Sequence, residues 1–366
     1  MNFKSLMLGA AAAAAATSVQ AADLPVAAEP VDYVRVCDAY GARFYYIPGT
    51  ETCLRVGGRV RANYTTSNFG EDNTDGFGDR ADANYTFDAY GYLYLDSRTN
   101  TEFGLLRTFT EIELSSGDAV GLGKAYIQWG GLTFGHATSF FDYFTGQSFA
   151  GPVTRNWSDK TTNLIAYTAA FGNGLSATVS LEDAGVRASS NEGGKRYPDL
   201  VANLRVDQGW GSAQLSGAIH DNVSADATVD SELGWAVGAG VIVKLPMLSS
   251  GSNLAFQAQY ADGALSYIGS TAANATAGDN NKGYTLSGGI YHQATSTVGL
   301  SLDGSYMDID MGSAAADITR WAIDGSAKWV PVSGFEMGVA VGYANNEVGS
   351  TDTDEVKARF RVQRTF

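Results

Sequence analysis

The chain has 366 residues, a formal net charge of -15 and a pI near 4.5. An acidic balance of that size argues against nucleic acid as a partner. Only 17% of residues are charged, while 44 glycines, 19 tyrosines and 17 phenylalanines favour strands and turns over helices with charged surfaces.

Residues 1–21, MNFKSLMLGAAAAAAATSVQA, carry Lys4, then an Ala-rich apolar stretch, then small residues at Val19 and Ala21. That is the pattern of a secretory signal peptide cleaved after Ala21. As a membrane anchor the stretch is too short and too weakly apolar. Removing Lys4 takes the formal charge from -15 to -16. The length left suits either two soluble domains or one large β-barrel. No later stretch offers 18 apolar residues, so no spanning helix is expected.

Residues 22–53 follow as an extended start, with Pro25 and Pro30, and a small hairpin holding Cys37 and Cys53. An isolated cysteine pair in an exported chain forms a disulfide as a rule. This one would close a loop worth roughly 3 kcal/mol in the chain-entropy model. The hairpin is expected at the periplasmic end or in the mouth of whatever residues 54–366 build.

From residue 54 onward the period is two. LRVGGRVRANY puts Arg55, Arg59 and Arg61 on one face and Leu54, Val56, Val60 and Tyr64 on the other. YGYLYLDSR sets Leu93 and Leu95 against Tyr92, Tyr94, Asp96 and Arg98. TRWAIDGSAKWV sets Trp321, Ile323 and Trp329 against Asp324, Ser326 and Lys328. VKARFRVQRTF sets Val356, Ala358, Phe360 and Val362 against Lys357, Arg359, Arg361 and Gln363. Such alternation marks half-buried strands. About 16 are expected: 54–66, 84–96, 101–115, 121–130, 132–137, 161–171, 174–182, 199–207, 210–220, 232–245, 252–261, 283–293, 296–308, 318–330, 334–345 and 355–366.

Short connections at 97–100, 130–131, 172–174, 207–210, 294–296 and 331–334 alternate with long polar ones at 67–83, 138–160, 183–198, 221–231, 262–282, 309–317 and 346–354. The connection 115–120 is short where a long one is due, and 246–252 is a longer turn. The predicted fold class is therefore all-β, a transmembrane antiparallel β-barrel of 16 strands with short periplasmic turns and long external loops. Lipid offers no partner for backbone N–H and C=O groups, so a spanning sheet must close on itself. Its polar face, arginines included, then points into a wet lumen; burying that face in a sandwich core would be prohibitive.

The stretches ADLPVAAEP, YVRVCDAYGARFYYIPGTETCLRVGGRVRANY, AYIQWGGLTFGHATSFFDYFTG (125–146) and FRVQRTF resemble the alpha-proteobacterial general porins. The resemblance runs through most of the chain and is most specific around the two cysteines. It implies a trimeric, 16-stranded, passive channel for small hydrophilic solutes and ions in the outer membrane, whose third long loop folds into the lumen. Phe366, with Val362, Phe360 and Ala358 spaced by two before it, resembles the C-terminal signal read by the barrel insertion machinery. Arg364 departs from that pattern and suits a snorkelling position at the periplasmic interface.

In a closed barrel the first and last strands are neighbours, so Arg55, Arg59, Arg61, Lys357, Arg359 and Arg361 would merge into one basic wall, with Arg107 beside Glu111 and Glu113 on the third strand. Two readings stand open: one side of a constriction with a transverse field, or ordinary lumen lining. The candidate constriction loop, 138–160, carries Phe140, Phe141, Tyr143, Phe144 and Phe149, which suits packing against a wall. Its acids are Asp142 and Asp159, and Asp142 is expected to face the arginines. With so few carboxylates the eyelet would be net positive and mildly anion-preferring.

Acidic residues gather in the long loops, at 67–83, 221–232 and 346–355, either as solvated surface or sharing divalent cations with lipopolysaccharide. The spacing of Glu71, Asn73, Asp75, Gly76 and Asp82 matches a calcium loop but lacks the helices of one. His136, His220 and His292 lie far apart, and no P-loop, GxSxG or HExxH occurs, so no catalytic residue, metal ligand or cofactor is expected. The rival reading is a surface adhesin or structural barrel with a plugged lumen.

Overall fold

The computed structural model describes residues 35–67, 84–117, 119–189, 192–223, 225, 231–276, 279–312 and 315–366. Sixteen strands form the wall: β1 Cys53–Ser67, β2 Tyr85–Thr101, β3 Gly104–Ser115, β4 Val120–Trp129, β5 Leu132–Thr138, β6 Thr161–Gly172, β7 Leu175–Glu182 and β8 Asp199–Gln208 make the first half. The second half is β9 Gly211–Asn222, β10 Glu232–Lys244, β11 Asn253–Asp262, β12 Lys282–Gln293, β13 Val298–Asp310, β14 Ile318–Val332, β15 Phe335–Val348 and β16 Thr351–Thr365. Each pairs antiparallel with its chain neighbours. β16 closes on β1 in a register running from Lys357↔Ser67 to Thr365↔Arg59. Closure gives every strand two partners, which is what a sheet in lipid requires.

The faces are inverted relative to a water-soluble sheet. Val56, Val60, Ile165, Leu215, Phe256, Val339 and Phe360 lie exposed on the outside. Thr162, Ser180, Gln214, Gln257, Thr285, Asp303 and Asp324 are buried on the inside. The alternation legible in the sequence thus sets apolar side chains outward and polar ones inward.

Two expected boundaries move. β2 runs through SRTN to Thr101, and the turn is Glu102–Phe103. SRTN is polar on both faces: Arg98 points inward and binds Asp96 at 3.0 Å, while on the other face Ser97 Oγ meets Thr108 Oγ1 of the neighbouring strand at 2.6 Å. The expected long loop 346–354 is a hairpin instead, with Val348 opposite Thr351. Side-chain bonds from Tyr343 and Asn345 to Asp354, and from Asn345 to Asp352, hold these acidic strand ends together. Glu347, Asp352, Asp354 and Glu355 therefore stand on strands. The acidic stretch 67–83, with the calcium-like spacing inside it, lies outside the described residues apart from Ser67 at the end of β1.

The loop between β11 and β12 is not a solvated arm. Its short helical turn Leu265–Ile268 folds inward, where Leu265, Tyr267 and Ile268 are fully buried against Phe141, Val201, Met307 and Ile309. At the opposite end, the Cys37–Cys53 disulfide ties the N-terminal element to the foot of β1, with a Cα–Cα distance of 6.0 Å. Tyr45–Tyr46 pairs with Cys53–Leu54 there. Phe44 is buried between the guanidiniums of Arg55 and Arg98, 4.9 and 4.8 Å from its ring centre.

Candidate functional site: a constriction inside the barrel

The segment 139–160 between β5 and β6 lies inside the barrel, and the wall is built to receive it. Gln214 and Asn203 donate to the carbonyl of Phe140, and the Phe144 amide donates to Gln257 Oε1 at 3.1 Å. Further along, the amides of Gln147 and Ser148 both donate to Asp303 Oδ2, at 2.7 and 2.6 Å. The Ser148 hydroxyl donates to Asp324, and Arg155 pairs with the same carboxylate at 3.1 Å. The Asn156 amide donates to Ser305 and that of Ser158 to Gln259 Oε1. Buried backbone groups need partners, and side chains from β8 to β14 provide them. Phe149 lies over Gly338, where a Cβ would stand 2.6 Å from its ring; only glycine admits the close approach.

The loop covers the wall from β7, where the Phe140 amide donates to Glu182 at 2.9 Å, through β15, and among the described residues no hydrogen bond ties it to β1 to β4. β16 forms the seam: Arg361 Nη1 donates to the Phe149 carbonyl at 2.6 Å and Arg359 Nη1 to that of Gly151 at 3.0 Å. Their Nε atoms donate to Asn63 and Thr65 of β1. Arg61 donates to Gln363 at 3.2 Å, and Arg59 stacks 3.9 Å from the Tyr92 ring centre. Among the described residues, none of Arg59, Arg61, Arg359 and Arg361 has a carboxylate within ion-pairing distance.

Arg55 and Arg107 belong to a different cluster. Both bind Asp96, at 3.2 and 3.0 Å, and Arg98 joins them. One carboxylate thus holds three guanidiniums nearer the N-terminal element. Lys357 pairs with Glu355 at the other end of β16. The seven predicted basic residues therefore face the lumen in three groups along the axis, with Arg59, Arg61, Arg359 and Arg361 at the level of the loop.

Asp142 corrects the expectation for it. It does not face the arginine wall; its side chain is 2% exposed and binds Arg187 at 3.3 Å. It also accepts from the Ser158 hydroxyl and, at 2.6 Å, from the Lys160 amide, closing the base of the loop. Arg187 reaches in from the β7–β8 loop and donates to Ser158 Oγ at 2.8 Å and to the Ser266 carbonyl at 3.1 Å. Its guanidinium lies 4.0 Å from the Tyr267 ring centre. A buried carboxylate needs a buried cation, and no residue adjacent in sequence provides one. Asp159, at the end of the loop, is exposed. On the β7–β8 loop, the Lys195 ammonium, 2.5 Å away, holds Asp183 below the usual carboxylate range.

Sequence reasoning missed Arg187, Asp303 and Arg155, whose partners are 45, 155 and 169 positions away. Asp324 was already visible on the polar face of its strand. His136 and His292 bond to Asn163 and Ser252, while His220 is buried between Asp199 at 2.8 Å and Glu192 at 3.2 Å. Arg364 caps the turn before β15 by donating to the Ser333 carbonyl. Phe366 bonds reciprocally with Gly58, at 3.0 Å each way.

A family model described as the porin subfamily matches residues 23–364. Porin Omp2b of Brucella suis biovar 1 is 33% identical over 373 aligned residues, 92% of this chain and 94% of the relative. The outer membrane channel DcaP of Acinetobacter baumannii has the same fold, with a TM-score of 0.72 at 18% identity over 88% of this chain and 99% of the other. A trimer form of OmpT, an outer membrane protein of Vibrio cholerae, gives 0.57 at 8% identity over 87% and 100%. A closed barrel, a loop folded within it and a water-facing arginine wall, carried by a chain that this model matches nearly end to end, have one reading: the protein belongs to the porin family and is a non-enzymatic diffusion channel of the outer membrane.

Proposed function

We infer that the channel works as a homotrimer whose eyelet lies between the 139–160 loop and the wall of β16, β1 and β2, with a mild preference for anions. The observation carrying this reading is the set of four guanidiniums, Arg59, Arg61, Arg359 and Arg361, that have no carboxylate within ion-pairing distance among the described residues. Charges in a water-filled constriction raise the local concentration of counter-ions. Pairing with Arg187 takes up Asp142, the loop carboxylate that would oppose them, and leaves Asp88, held by the Asn63 amide, and Glu113 as acids of the wall near the arginines. The net charge of -15 does not govern the eyelet, because charge screened by more than a Debye length of about 8 Å contributes little there.

The trimer rests on the family and on the trimer form of the Vibrio cholerae neighbour. Export by residues 1–21, insertion through Phe366 and contact of the acidic loops with lipopolysaccharide complete the reading. Its test is the reversal potential of single channels in a salt gradient. Wild type is expected on the anion side and Arg59→Ala nearer zero. A cation-selective wild type overturns the preference, and a chain with no open-channel steps is the plugged barrel of the rival reading.

A further inference from the structure

The free wall is aromatic as well as basic. Tyr90, Tyr92 and Tyr94 follow one another on the inner face of β2, with ring centres 6.4 and 6.3 Å apart. Phe109 and Tyr126 continue the row across β3 and β4, at 6.4 and 5.4 Å. The Arg59 guanidinium carbon lies over the Tyr92 ring, 3.9 Å from its centre, and that of Arg61 is 5.7 Å from the same centre. Across the arginines, Phe149 at the turn of the loop lies 5.8 Å from Arg361. Tyr92 and Phe149 are both half-buried, so each keeps surface in water.

We propose that the eyelet carries a subsite for anions with a flat apolar body, aromatic monocarboxylates, held by the guanidiniums of Arg59, Arg61 and Arg361 between the rings of Tyr92 and Phe149. This rests on the reading of the loop and arginine wall as the eyelet. A guanidinium stacked by its face on a ring keeps its N–H fork in the ring plane free for a carboxylate. The Arg59 Nε is buried without a hydrogen-bond partner, an unmet donor on the guanidinium that lies over Tyr92. A carboxylate bound there places its own body beside Tyr92 or Phe149, where a ring gains offset-stacking or edge contact and an acetate methyl gains little. The same geometry gives inorganic anions only the charge.

The experiment uses the full-length protein in planar bilayers in potassium chloride, with benzoate or acetate added at equal concentration. Benzoate is expected to reduce the open-channel current at a concentration about threefold to tenfold below that needed for acetate, the range one aromatic contact supplies. Tyr92→Leu and Phe149→Leu are each expected to bring that ratio towards one. Phe87→Leu, on the outer face of β2, keeps it. Open channels in which benzoate and acetate act alike overturn the subsite and leave the eyelet reading standing. A ratio that survives both ring substitutions overturns the assignment to these rings. Absence of any open-channel step removes the eyelet reading and the subsite together.

Discussion

Arg187→Met tests what holds the constriction loop in place. The Arg187 side chain is 1% exposed and that of Asp142 2%. The substitution keeps most of the volume and removes the guanidinium, with its bonds to Ser158, Ser266 and Asp142 and its stacking on Tyr267. Asp142 is left as a buried charge held by one hydroxyl and one amide. Removing one partner of a buried pair costs about 3–5 kcal/mol. None of the lost bonds belongs to the strand ladder, so the penalty is relieved by local release of the loop base rather than by unfolding the barrel. A shift of that size raises the released population by about 10² to 10⁴.

Single-channel recording reads this as open-state noise and closures at lower voltage. Arg187→Met with Asp142→Asn is expected to be quieter than Arg187→Met alone, because replacing both partners leaves no unpaired charge. A silent Arg187→Met channel refutes the reasoning. A double variant as noisy as the single one assigns the effect to lost packing on Tyr267 instead.

Three further outcomes are expected. Arg359→Gln with Arg361→Gln moves the reversal potential towards cations and frees the loop carbonyls of Phe149 and Gly151, so conductance noise rises with the shift. Gly58→Ala places a Cβ 2.5 Å from Phe366 Cζ and 2.9 Å from the Tyr92 carbonyl, an overpacking worth about 1–3 kcal/mol at the β16–β1 seam; the folded barrel band on unheated gels should disappear at a lower temperature than in wild type. Replacing Cys37 and Cys53 by serine removes about 3 kcal/mol of restraint from residues 37–53; tryptic cleavage at Arg43 should then be about a hundredfold faster, with the strands still protected.

Some of the site was legible because alternation is a local property. The inward set of Arg59, Arg61, Arg359 and Arg361 follows from period two alone, and their merging into one wall follows from closure. The inward loop was suggested by its five aromatic residues. The role of Asp142 was not legible, because a carboxylate near arginines in sequence order says nothing about which cation is buried beside it. The β11–β12 loop misled for a similar reason: its Leu265, Tyr267 and Ile268 are few among Gly, Ser and Thr, and only the inner wall makes them a buried cluster. SRTN and the acidic ends of β15 and β16 read as turn and loop because polarity is the usual sign of solvent, and in this fold solvent also meets the lumen face and the rims of the strands.

The sequence by itself determined the strands, their two faces and the need to close, because backbone hydrogen bonding in lipid permits no other spanning sheet. It also determined where guanidiniums concentrate. Only the tertiary structure decided which carboxylates meet them: Asp96 gathers Arg55, Arg98 and Arg107, Asp142 goes to Arg187, and the guanidiniums at the eyelet are left with neutral partners. Those pairings join residues far apart in the chain, and they depend on where the loop comes to rest across the lumen. Charge at a pore is set by such contacts over a few ångströms, which neither composition nor periodicity encodes.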